Sequence, residues 1–218
     1  MVADGYDRIS DAYTRDAETT RAGERDAYTR RLFGIVPAGA QVLDLGCGAG
    51  VPTTRLLAER YAVTGVDISG EQIRRARENV PKAQFVQSDM TSLCFPPGSF
   101  DAVVAFYSII HVPRDEQPGL FRASHTWVAP GGYFLGALGA HDAAADIEGD
   151  WLGAPMYWSS FDASTNRQMV AAAGFSVLSA SLETAEEDGH PVTFLWVLAR
   201  KVLPGSPLPA GAPGGGVQ

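Results

Sequence analysis

Apolar and polar positions along this chain switch between two rhythms, a three-to-four-residue spacing and short runs of consecutive apolar residues. Tyr6, Ile9 and Tyr13 fall on one helical face and open a helical segment over 6–36, which Pro37-Ala38-Gly39-Ala40 turns into a first strand ending at Leu45. Helices over 53–60 and 70–79 then alternate with strands over 62–66 and 83–87. Phe100–Phe106 is apolar throughout, as a strand covered on both faces requires. Beyond it the pattern predicts a helix over 113–129, a fifth strand over 133–138 and a helix from Asp162 to Ala173 closed by Gly174. Two adjacent antiparallel strands, 175–181 and 193–200, are joined by an acidic loop over 183–190. Strands alternating with helices predict an α/β fold around a mostly parallel sheet.

The most informative junction is Val42-Leu43-Asp44-Leu45-Gly46-Cys47-Gly48-Ala49-Gly50, where a buried strand ends in three glycines spaced two apart. Glycines there allow positive φ and close approach of a ligand to the backbone. A dinucleotide fingerprint reads G-x-G-x-x-G, and here the third glycine comes one residue early. Asp44 would repel a pyrophosphate and attract an ammonium, an interaction of about 4 kcal/mol at 4 Å and an effective dielectric near 20, before desolvation. Asp67 ends the next strand, placed to accept from both hydroxyls of a ribose. A ribose joined to a cationic amino-acid tail describes S-adenosylmethionine (SAM).

VLDLGCGAG, VTGVDIS, Gln87-Ser88-Asp89-Met90, FDAVVAFYSIIHV and VAPGGYFLGAL together resemble, in order and spacing, the successive motifs of class I SAM-dependent methyltransferases. The likeness spans roughly residues 6–201 and is nearest to small-molecule enzymes of the ubiquinone/menaquinone type and their relatives in bacterial secondary metabolism. It implies a Rossmann-like seven-stranded sheet, mostly parallel with an antiparallel last strand and helices on both faces. It implies also a helical lid over 1–36 and a SAM-binding domain over 37–202; the aromatic density at 141–165 reads as an acceptor-side insertion, and the Pro- and Gly-rich stretch over 203–218 as a disordered tail. The Asn/Asp-Pro-Pro-Tyr/Phe run of nucleobase and amide methyltransferases is missing at Phe106-Tyr107-Ser108, which favours a small-molecule acceptor.

Charge and composition narrow the picture further. A net charge of -8 argues against a phosphate-backbone partner, since nucleic-acid binders present a basic face. Arg21–Arg31 and Arg74–Lys82 interleave bases with acids and read as solvated helix faces. No run of eighteen apolar residues predicts a membrane span, the first residues are unlike a signal peptide, and two cysteines suggest a reducing cytoplasm. The four histidines are scattered without metal-ligand spacing.

The resemblance assigns the methionine portion to Asp44, Gly46 and Gly48, the ribose to Asp67, and the adenine to Asp89, Met90 and Ile68. Tyr13, Cys47, Gln72, Phe106 and His111 complete the expected cofactor shell. Cys47 equally reads as a small residue that fits the turn, and Gln72 as the partner of Ser69 in a capping box. His111 and His141 are the candidate proton acceptors; His111 could instead hold its loop, and His141 would need Asp142 beside it. Tyr6, Tyr107, Trp151, Met156, Tyr157 and Trp158 are candidates to line an acceptor pocket, against the alternative of a hydrophobic plug over the core. Three rivals stand beside methyl transfer: a nicotinamide oxidoreductase, an aminopropyl transferase using the acidic loop to bind a polyamine, and a SAM-binding catalyst of cyclisation or elimination.

Overall fold

The parallel core of the sheet follows from strands with no polar face to expose. In the computed structural model, which describes residues 1–187 and 189–202, the strands are β1 (Gln41–Leu45), β2 (Ala62–Asp67), β3 (Gln84–Gln87), β4 (Phe100–Phe106), β5 (Val128–Gly139), β6 (Ala143–Trp151), β7 (Ala154–Ser160), β8 (Phe175–Glu187) and β9 (His190–Lys201). Seven of them form one sheet in the order β3-β2-β1-β4-β5-β9-β8, and only β9 runs against its neighbours. The helices are α1 (Val2–Ala17), α2 (Ala22–Phe33), α3 (Thr53–Leu57), α4 (Gly70–Asn79), α5 (Gln117–Trp127) and α6 (Ala163–Ala172). This is the predicted Rossmann-like architecture. Strand order reverses between β1 and β4, and the crevice beyond their C-terminal ends is where such sheets hold ligands.

Alternation along the strands divides the core in two. Val42, Val104 and Phe106 pack with Leu32, Leu57 and Trp196 on one face, while Leu43, Leu45, Val103 and Ala105 pack with Phe121 and Phe134 on the other. Asp44 therefore points to the side of Val42, into a position where the pattern would otherwise bury an apolar group.

Several elements depart from the sequence expectation. The single helix over 6–36 is two, broken at Glu18–Arg21, where Arg21 takes a left-handed conformation at φ 54°. Its guanidinium turns inward to Glu24, Glu187 and the Val192 carbonyl, and those bonds hold the break. α2 joins the body of the domain, with Leu32 fully buried and Tyr28 stacked on Trp196 at 3.9 Å between ring centroids. α1 contributes Tyr6 and Tyr13 to the cleft, and Arg25 of α2 reaches it as well. α5 starts at Gln117 because Pro113–Glu116 is a hydrogen-bonded turn, and β5 starts at Val128, with a register shift between Phe100 and Ala102. The acidic loop over 183–190 is mostly strand: β8 continues to Glu187, with Glu183 accepting from Tyr28 and Glu187 from Arg21. The aromatic stretch over 143–161 is a β-hairpin, β6 paired antiparallel with β7. The tail over 203–218 lies outside the described residues.

Candidate active site

The glycine turn is built around its own amides. Gly46 and Cys47 both donate their N–H to the Val66 carbonyl, at 2.8 and 2.9 Å, and Gly48 donates to Asp67 Oδ2 at 2.9 Å. These N–H groups are spent within the turn, so it offers a ligand close approach and not a phosphate cradle. Gly46 has φ 75°, and a Cβ there would sit 2.2 Å from the Ser108 Cβ, so no side chain fits between β1 and β4. Ser108 in turn donates to the Leu45 carbonyl at 2.7 Å. Cys47 is buried with its thiol pushed well up by burial, an inert small residue.

Two carboxylates border the turn. Asp44, 2% exposed, accepts from Thr54 Oγ1 at 2.6 Å, and burial raises its pKa to about 6. Asp67 accepts from Gly48 N–H and Ser69 N–H, both at 2.9 Å; burial raises it to about 6 despite these backbone bonds. Ser69 caps α4 by accepting from the Gln72 N–H at 3.1 Å. The reciprocal half of the expected capping box is absent, because Ser69 N–H is taken by Asp67. The Gln72 side chain is fully buried, with both polar atoms unpaired among the described residues and Oε1 3.9 Å from the position of a Gly48 Cβ.

A cavity of about 460 Å³ opens beside the turn, lined among others by Gly46, Asp67, Ile68, Asp89, Met90 and Ser108. Asp89 Oδ1 accepts from the N–H and hydroxyl of Thr91, both at 2.8 Å, so it is a turn residue that also faces the cavity. A second cavity of about 500 Å³ has Trp151, Trp158, Phe194 and His141 in its walls. Tyr6, Tyr13, Tyr107 and His111 line both. α1 is held over them by Asp7, which accepts from Ser69 Oγ at 2.5 Å and the Glu71 N–H at 3.0 Å, and by Asp11 paired with Arg75 at 2.6 Å.

His111 stands at the junction of the two cavities. Its Nδ1 faces the Tyr157 carbonyl at 2.8 Å, which can only accept, so Nδ1 carries the proton. Burial lowers its pKa to about 4. The ring is therefore neutral, and its Nε2 accepts from the Tyr6 hydroxyl at 2.8 Å. Trp158 lies against the ring at 4.6 Å, and Tyr6, Tyr13 and Trp151 pack edge to face or tilted beyond it.

The other predicted residues divide. Tyr107, at φ 57°, donates to Glu24 Oε2 at 2.8 Å and lines both cavities. Tyr157 borders the first cavity, and Phe106 a small one of about 20 Å³ under the turn. Met156 lines neither large cavity: it is fully buried under α1, where Gly5 lets the helix approach so closely that a Cβ would lie 3.0 Å from Met156 Cε. His141 is exposed at the rim of the second cavity without its acid, since Asp142 pairs with Arg114. Sequence reading missed Glu24, Thr54, Ser108 and Arg25. Arg25 had one signal, its place on the same α2 face as Tyr28 and Leu32, among residues otherwise read as solvated.

The pieces fit SAM. An acid that would hold an ammonium, a second acid beside a glycine turn, orphaned buried amide groups at Gln72 and a cleft no Cβ can enter at Gly46 are what an adenosyl amino acid needs. Residues 42–132 match the family described as "Methyltransferase domain". That stretch is a methyltransferase domain of the class I SAM-dependent type. SAM is the cofactor of this methyltransferase domain. It is 32% identical over 171 residues to 27-O-demethylrifamycin SV methyltransferase of Amycolatopsis mediterranei, covering 68% of this chain and 62% of that protein. It is 34% identical over 102 residues to a ubiquinone biosynthesis O-methyltransferase of Albidiferax ferrireducens, covering 44% and 40%. Among the curated relatives compared, this chain spans 26% to 62% of their length. The same fold occurs in a SAM-dependent methyltransferase of Methanosarcina mazei, with TM-score 0.69, 21% identity, and coverage of 79% of this chain and 97% of that one. It occurs also in the 1,6-didemethyltoxoflavin-N1-methyltransferase of Burkholderia thailandensis, solved with S-adenosylhomocysteine, with TM-score 0.63, 18% identity, and coverage of 93% and 91%. Among the described residues no helix is long and apolar enough to cross a membrane, and no group of three or more metal-ligating side chains occurs.

Proposed function

We propose that this chain transfers the methyl group of SAM to a hydroxyl of a small, aromatic or polyketide-like molecule in bacterial secondary metabolism. The observation that carries this reading is the meeting of two cavities at Tyr6 and His111, one beside the glycine turn and one walled by rings. Bound SAM supplies an electrophilic methyl on a sulfonium. Asp67 holds the ribose, Asp89, Met90 and Ile68 receive the adenine, and the amino-acid end lies toward Asp44. α1 acts as a lid that shuts the reaction from water.

Methyl transfer is an in-line displacement, so holding the acceptor oxygen in line contributes most of the rate, several kcal/mol from alignment alone. His111 Nε2 is the fixed point that aligns it: the acceptor hydroxyl takes the place of the Tyr6 hydroxyl and donates to the same lone pair. A neutral imidazole whose pKa lies near 4 is a weak base. It suffices here, because an attacking hydroxyl becomes an oxonium, a far stronger acid than imidazolium, as the new bond forms. Trp151, Trp158 and Tyr157 give the acceptor its apolar walls.

Incubating the chain with SAM carrying a labelled methyl and a pool of hydroxylated aromatic metabolites tests this. Label in a methyl ether, lost on His111→Ala with S-adenosylhomocysteine affinity retained, is the expected result. Conversion of an acceptor with the label left on SAM would replace methyl transfer by cyclisation or elimination.

A further inference from the structure

Among the described residues, the buried side-chain atoms without a hydrogen-bond partner include two in the walls of the second cavity, Arg25 Nε and Trp158 Nε1. Arg25 also borders the small cavity under the glycine turn, so it serves the cofactor side as well. Trp158 borders neither the first cavity nor the small one. An indole nitrogen can only donate, and a buried one usually meets an acceptor. Trp196 shows that ordinary arrangement, its Nε1 donating to Glu24 at 3.1 Å. The Trp158 N–H is closed off from water with no bond in return, a cost that no group of this chain offsets.

Its neighbours say what kind of partner it takes. Trp158 lies on β7 next to Tyr157, whose carbonyl fixes the His111 ring at Nδ1. The imidazole and indole centroids are 4.6 Å apart at a tilt of 38°. These adjacent rings are complementary: neutral His111 accepts at Nε2, and Trp158 donates at Nε1. Neither carries a charge, so the pair selects for hydrogen-bonding pattern and not for an ion. A lone hydroxyl would serve His111 and leave the indole N–H orphaned. Two oxygens held about 2.6 Å apart on a ring frame, one hydroxyl donating to the other, keep one free O–H and one free lone pair. That is the missing complement.

We propose that Trp158 determines acceptor specificity: its indole N–H binds a second oxygen, ortho or peri to the hydroxyl that His111 aligns, so the acceptor is a ring with two neighbouring oxygens and not a simple phenol. The proposal rests on the methyl-transfer reading above and specifies its acceptor. Trp158 packs against the α1 cluster that contains Tyr6 and Ile9. The incoming hydroxyl lifts Tyr6 from His111 and uncovers the indole edge in the same movement. The oxygen at Trp158 is not methylated. It stops the ring from turning about its bond to His111, a freedom that one hydrogen bond leaves open and in-line transfer must remove.

Anaerobic calorimetry on the full chain saturated with S-adenosylhomocysteine decides it, with 1,8-dihydroxynaphthalene, its 1,5-isomer and 1-naphthol as probes. The unaltered chain should bind the 1,8-isomer roughly tenfold more tightly than the other two, the worth of one hydrogen bond to a buried orphan donor. Trp158→Phe keeps an aromatic ring and removes the N–H. It should bring all three probes within about twofold of one another, with S-adenosylhomocysteine affinity unchanged. Equal affinity for the three in the unaltered chain would overturn the proposal. So would a preference that survives Trp158→Phe, which would leave Trp158 a packing role alone. Labelled methyl passing equally well to the 1,8-isomer and to 1-naphthol would keep the methyl-transfer reading and sink this one. If none of the probes bound, the reading of the second cavity as an acceptor site would fall first and this proposal with it.

Discussion

The cofactor side of the cleft and the acceptor side are assembled in opposite ways. On the cofactor side the acids and the glycine turn sit at or just beyond strand ends: Asp44 and the turn at β1, Asp67 at β2, Asp89 after β3, Ser108 after β4. Neighbouring strands bring them together, and their bonds run to adjacent turns, as from Gly48 to Asp67. On the acceptor side the contacts join distant parts of the chain, Tyr6 to His111, His111 to Tyr157, Arg21 to Glu187. A cofactor common to many enzymes is met by the invariant geometry of the sheet, and the acceptor by appendages that can change without disturbing it.

Gly46→Ala strikes the cofactor side hardest. The new methyl would require positive φ and lie 2.2 Å from the Ser108 Cβ, where both backbones are fixed. Several kcal/mol of stability should be lost in denaturant unfolding, together with measurable S-adenosylhomocysteine binding.

Asp44→Asn separates function from stability. Removing the charge should lower S-adenosylhomocysteine affinity roughly ten- to a hundredfold by calorimetry. The folded carboxyl titrates at about 6, above the 3.8 of an unperturbed aspartate, so the folded state holds its proton more tightly than the unfolded one. Burying the ionised form thus costs stability that is fully felt above pH 6 and disappears toward pH 4. The variant should gain up to about 3 kcal/mol at pH 7–8, seen as a higher Tm, and lose that gain as pH falls to about 4. In the unaltered chain S-adenosylhomocysteine affinity should decline as pH falls through about 6, where Asp44 and Asp67 both take up protons.

The smallest cofactor effect is expected from the other side. Trp158→Ala should leave S-adenosylhomocysteine affinity within about threefold, because the ring lines only the second cavity, and raise the acceptor KM by roughly tenfold through lost apolar contact. Equal damage to both ligands would erase the contrast between the two halves.

This contrast also explains what could be read from the chain in advance. The strands of the parallel core and the two acids were legible because strand period, turn glycines and acid position are local patterns, whereas the seven-stranded sheet with its antiparallel last strand followed from the resemblance. The partners of the turn amides were not legible: sequence marks where glycine is required, not which carbonyl its N–H meets, and Val66 takes two of them. The hairpin over 143–160 hid because β6 is exposed along most of its length and so lacks an apolar face to alternate. Met156 reads as a pocket residue in the sequence because nothing local shows that Gly5 brings α1 down on it. Arg25 escaped because burial of a charge is a tertiary event.

A crystal structure with S-adenosylhomocysteine would test the central claim most directly. The account predicts the sulfur facing the Tyr6–His111 junction with the second cavity beyond it, the ribose on Asp67 and the amino-acid end beside Asp44. A sulfur directed away from that junction, or an amino-acid end lying outside the glycine turn, would contradict it.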